Sequence, residues 1–161
     1  MKRDTGRTIS VLLRNLDEAY RARSWHGTNL RGSIRGLTAA QAAWRPGPQR
    51  HNIREIVVHA AYWKYVVRRR LTGEKRGSFP LKGSNWFARN DGTDAASWKR
   101  DVALLDAMHA SLVATVRGVH ESVLPRRPGG SRFTHVQTIL GIAAHDLYHA
   151  GQIQLIKRLM R

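Results

Sequence analysis

The sequence predicts an all-α fold: an up-and-down four-helix bundle in one domain, residues 1–161, with a long loop between the second and third long helices. Three observations carry that reading. Apolar residues recur at helical spacing in four separate segments, the segments open on capping signals and stop at glycine or proline, and no stretch alternates as a half-buried strand would. A chain of 161 residues and 18.2 kDa is long enough to bury one core, and nothing in it marks a linker between two.

The elements follow in order. Ile9, Leu12, Leu13, Leu16 and Tyr20 form the first stripe, which Leu30, Ile34 and Leu37 resume after Ser24 to Gly27, so the first helix is expected to break near Gly27. Thr38 and Gln41 make a capping box for a short helical turn that Pro46 and Pro48 stop. Asn52 and Glu55 open the second long helix, with Ile56, His59, Trp63, Val66 and Val67 on its apolar side and Gly73 as its stop. Glu74 to Thr93, with four glycines and prolines in Gly77, Pro80, Gly83 and Gly92, reads as a loop, and loops of that length are often functional. Asp94 caps a third helix carrying Trp98, Val102, Leu105, Met108, Leu112 and Val116 to about Gly118. Pro125 to Gly130 makes a second loop. Thr134 and Gln137 then cap a fourth helix on which Ile139, Ile142, Ala143, Leu147, Ile153, Ile156 and Leu159 face inward.

Composition narrows the function classes. With no cysteine there is no disulfide framework, thiolate metal site or protein thiol nucleophile, so a metal must sit on nitrogen and oxygen ligands. No hydrophobic stretch follows Met1 to Thr5 and the apolar runs are short, so neither a signal peptide nor a membrane span is expected, and a cytoplasmic location is. The formal charge of +17 raises nucleic-acid binding as an alternative. The arginines are dispersed from Arg3 to Arg161, however, which favours a self-repelling basic surface over a dedicated groove. Trp25, Trp44, Tyr62, Trp63, Tyr65, Trp86 and Phe87 fall among those arginines, yet core packing accounts for most of them, including Trp63 and Trp98 on buried stripes. Trp86 and Phe87 lie in the long loop, either as a wall over the site or as a small core beneath the loop.

Three histidines point to the chemistry. His145 and His149 are one helical turn apart, so both rings can reach one ion, and His59 lies on the apolar face of another helix. A single histidine on such a stripe is ordinarily a hydrogen-bonded core residue. Three of them on inward faces favour a divalent metal with open coordination positions. Asp146 gives His145 to His149 a likeness to the zinc-protease pattern His-Glu-x-x-His, but its side chain is shorter and the third ligand lies upstream, so a protease is disfavoured. Asp146 is expected to orient a ligand ring, to pair with a helix or to be solvated. Gln152 either touches a substrate or bound water or packs and hydrogen-bonds within the bundle, and His26 either shuttles protons to the site or has a local capping or surface role.

Asn52 to Trp63, NIREIVVHAAYW, followed far downstream by Ala143 to Ile153, AAHDLYHAGQI, resembles the DinB/YfiT-like superfamily, as does Gly36 to Pro46, GLTAAQAAWRP. The resemblance spans nearly the whole chain. It implies a four-helix bundle, often dimeric, holding a divalent metal on a histidine triad that maps onto His59, His145 and His149. Relatives of this kind include thiol-dependent S-transferases and a mycothiol-dependent maleylpyruvate isomerase. The expectation is therefore a metal-dependent S-transferase or hydrolase for a small molecule, with a low-molecular-weight thiol as cosubstrate in the first case, and a homodimer. Imidazole ligands suit zinc, nickel and iron alike. The alternative is a noncatalytic metal-binding or basic nucleic-acid-binding helical protein.

Overall fold

The computed structural model describes residues 6–90 and 94–161. Arg3, and Gly92 and Thr93 at the end of the expected loop, lie outside the described residues. Among the described residues all regular structure is helical: α1 (Arg7–Tyr20), α2 (Leu30–Ser33), α3 (Ala39–Ala43), α4 (Ile53–Thr72), α5 (Ala95–Gly118) and α6 (His135–Leu159), with a 3-10 turn at Glu121–Val123.

Side-chain caps set most of the starts. Thr38 with Gln41, Asn52 with Glu55, and Thr134 with Gln137 form reciprocal boxes at α3, α4 and α6, and Asp94 accepts the Ser97 N–H at α5. Each satisfies backbone donors that have no partner within the helix. Gly73 ends α4 at φ 73°, a left-handed conformation that suits glycine. The break after α1 is wider than a kink at Gly27. The helix stops at Tyr20, and Asn29 then both accepts the Gly32 N–H at 2.9 Å to cap α2 and donates to the Ala22 carbonyl at 2.8 Å. One amide side chain closes the interval at both ends.

α4 lies against α5 and α6, and α1 against α6 and α5, while α2 and α3 cover the end of the molecule that holds Trp98. The buried apolar residues fall into two clusters. One gathers Leu30, Ile53, Ile56, Val57, Leu105 and Ile153, and the other gathers Leu12, Leu16, Val67, Leu112, Ile139 and Ile142.

Buried polar side chains stand among these clusters on three of the long helices, Lys64 of α4, His109 of α5 and Asp146 of α6, and Tyr20 of α1, part of the first cluster, meets two of them. Lys64 and Asp146 are both fully inaccessible and form an ion pair. The Lys64 Nζ also sits 4.9 Å from the centre of the Tyr20 ring, which stacks on His109 at 3.8 Å. Tyr20 donates its hydroxyl to Asp106, which Arg31 also binds at 3.0 Å. A second buried ionic group joins Arg54 of α4 and Arg89 to Asp101 of α5, with the Arg54 Nη2 at 2.7 Å. Buried charges of this kind need their partners, because an unpaired one would face a large desolvation cost.

Candidate metal centre

His59 comes from the middle of α4, and His145 and His149 from successive turns of α6. α4 and α6 run antiparallel here, so the stripe of Ile56, His59 and Trp63 faces that of Ile142, His145 and His149. The three Nε2 atoms converge. His145 Nε2 stands 3.2 Å from His59 Nε2 and 3.1 Å from His149 Nε2, and one nitrogen from each ring falls within a set no wider than 4.8 Å. Nitrogens held at about 2.0–2.1 Å from a tetrahedral zinc would lie about 3.3 Å apart, close to the two short separations.

The opposite ring atoms explain the orientation. His59 Nδ1 donates to the Asn85 carbonyl at 2.8 Å, and His149 Nδ1 donates to Gln152 Oε1 at 2.7 Å. With the proton held at Nδ1, each Nε2 presents a lone pair inward. His145 Nδ1 is buried with no protein partner among the described residues. Burial also keeps the rings neutral: His145 is pushed down to about 3 and His149 to about 4, chiefly by desolvation, and His59 is lowered for the same reason. Neutral rings with converging lone pairs repel one another across the cluster, and a cation among them removes that repulsion. The residues therefore fit a divalent ion.

The long loop takes part. Among the described residues it holds no helix or strand between Thr72 and Ala95. Asn85, at φ 64°, turns its carbonyl onto His59 and its side chain onto the Trp63 indole N–H at 2.9 Å. Trp86 then stacks between His59, at 3.8 Å, and His51, at 3.6 Å. Phe87 does the other thing expected of this pair, being buried against Tyr62 and Phe79 beneath the loop. Between α4 and α6 a hollow of about 240 Å³ reaches His145.

The remaining candidates separate. Gln152 bonds a ring of the cluster. Asp146 does not: it is neither solvated nor bonded to a ligand ring, because its carboxylate is buried against Lys64. Burial drives it up to about 6 while Lys64 opposes the shift. His26 is exposed, with Ser24 Oγ 3.4 Å from its Nδ1, and is not one of the three histidines brought together in the cluster. Trp25 beside it is fully exposed and Trp44 partly so, so core packing does not account for those two. Sequence reasoning missed Lys64 and Asn85. Lys64 had a signal, since it continues the inward spacing of Ile53, Val57, Ala60 and Val67. Asn85 reaches His59 through its backbone carbonyl, and that contact had none.

A model of the DinB superfamily matches residues 22–153, which include every histidine of the cluster. No curated protein matches the chain. No solved structure does either.

Proposed function

The chain belongs to the DinB superfamily, and on that premise we propose that it is a metal-dependent enzyme acting on a small molecule, either transferring it to a low-molecular-weight thiol or hydrolysing it. The convergence of three neutral imidazoles on one point beside a hollow is the observation that carries the reading. We read the four long helices as a four-helix bundle that holds the ligands from two facing antiparallel helices; it is not the expected up-and-down arrangement, because Arg54 meets Asp101 while Lys64 and His109 both meet Tyr20, so α4 and α5 run parallel and the long loop between them is a crossover. Zinc, nickel and iron all suit the donor set.

A divalent ion there would supply Lewis acidity, making a water or thiol bound to it acidic near neutral pH. The protein's own contribution is positional. Asn85 and Gln152 hold the protons of His59 and His149 on the outer nitrogens, so the inner nitrogens are ready as ligands without rearrangement. Trp86 covers one side of His59 and excludes water there. The absence of cysteine leaves any thiol chemistry to an external thiol.

We further propose a homodimer formed through α6, where Leu140, Tyr148, Leu155 and Leu159 are exposed within one stripe. A cytoplasmic site of action agrees with a thiol cosubstrate. No helix among the described residues is long and apolar enough to cross a membrane.

The test is elemental analysis of untagged protein purified without chelator, beside a variant with His59, His145 and His149 all replaced by alanine. Near-stoichiometric transition metal in the first and none in the second is expected. A wild-type protein that holds no metal even after reconstitution overturns the reading.

A further inference from the structure

We propose that the substrate is a small acid, with Arg70 receiving its carboxylate or phosphate headgroup at the end of the α4–α6 hollow remote from His145. The inference rests on the metal centre as the place of reaction, although binding of the acid by Arg70 does not itself need the metal.

The hollow has two unlike ends. His145 is at one, and Arg70 with Gln137 and Thr138 is at the other, while Trp63, Val67 and Ile142 wall it with apolar surface. The eight residues from His145 back to Gln137 span about 12 Å of helix at about 1.5 Å per residue. That length suits a compact apolar body with a polar group at its far end. On α4, Arg70 lies eleven residues beyond His59, about three turns along the same face, so the guanidinium enters the hollow from the side of the helix that carries a metal ligand.

Charge identifies the polar group. Arg70 is half-buried and meets no carboxylate among the described residues. It also borders a second hollow of about 740 Å³ under the long loop, which adds Arg69, Arg76 and Lys82 and reaches Asn85 beside the cluster. No acidic residue lines either hollow among the described residues. Four cations around these hollows outnumber the one carboxylate near them, Glu74, which is paired with Arg68, and make a field that attracts anions and repels cations. A guanidinium offers paired donors that match carboxylate and phosphate oxygens. The other exposed cations of this basic chain flank no hollow that ends on a histidine of the cluster.

Calorimetric titration of metal-loaded and metal-free protein with phenylbutyrate, its neutral amide and phenylpropyl phosphate tests this. The metal-free arm separates capture by Arg70 from ligation of the acid by the ion. In both states the wild type is expected to bind an acid at least about tenfold more tightly than the amide. Arg70→Gln should remove the preference, and the charge-matched Arg127→Gln, on an exposed loop, should keep it. The tighter of the two acids names the headgroup. Equal binding of acid and amide, no saturable binding of either acid, or a preference that survives Arg70→Gln overturns the proposal. Arg70→Gln should retain metal like the wild type, so a protein without metal that still prefers the acid would sink the enzymatic reading and leave the anion site standing.

Discussion

Gln152 is the side chain on which the orientation of His149 depends, since its Oε1 is the acceptor for the ring's Nδ1 proton. Removing such a partner typically costs about 10–100-fold in metal affinity. Gln152→Leu is expected to lose metal in that range in competition with a chelator, and Gln152→Glu, which keeps an acceptor, to retain it; equal affinity in wild type and Gln152→Leu would show that the contact does not orient the ligand. The histidines were legible because ligand spacing is a property of the helix: four residues bring His145 and His149 onto one face, and His59 stands out on an apolar stripe. Asn85 was not legible. What it gives His59 is a backbone carbonyl, which every residue has, and only the path of the loop decides which one arrives.

At the scale of elements, the Lys64–Asp146 pair joins α4 to α6 immediately behind the metal ligands. Removing one member of a buried pair leaves the other charge uncompensated, at about 3–5 kcal/mol, whereas replacing both with apolar groups of similar size is often neutral. Lys64→Met and Asp146→Leu alone are therefore each expected to lower the urea midpoint strongly, and the double variant to recover most of the loss. Additive losses would refute the coupling. The helices themselves were readable from periodicity and caps, down to the boxes at Thr38, Asn52 and Thr134. The pair was not, because aspartate and lysine are expected at the surface, and their inward spacing becomes meaningful only when two helices are seen to place opposite charges at one level. The break after Tyr20 was readable as an interruption but not in its width, which depends on a contact between Asn29 and Ala22.

Across the whole molecule, acid stability follows from its buried imidazoles. Desolvation holds His109 and His145 down to about 3 and His149 to about 4, and lowers His59, against an ordinary value of 6.5. Between those values the unfolded chain binds more protons than the folded one, so this stability is complete above about pH 6.5 and falls as the pH drops. Burial lowers His135 as well, and Asp146, raised to about 6, acts in the opposite sense below that pH, but as one group against five. The melting temperature of the metal-free protein should therefore fall steadily between about pH 7 and about pH 5, and a flat or rising profile would contradict it. The group formed by Tyr20, Lys64, His109 and Asp146 has one more effect. The apolar clusters around it would tolerate α6 sliding along α4 by one turn, about 5.4 Å, because one aliphatic side chain replaces another with little loss. Lys64 and Asp146 would not: after the slip each charge would face aliphatic groups instead of its counterion. The group thus acts as an indexing pin that admits one alignment of the helices, and that alignment is the one that brings His59 level with His145 and His149.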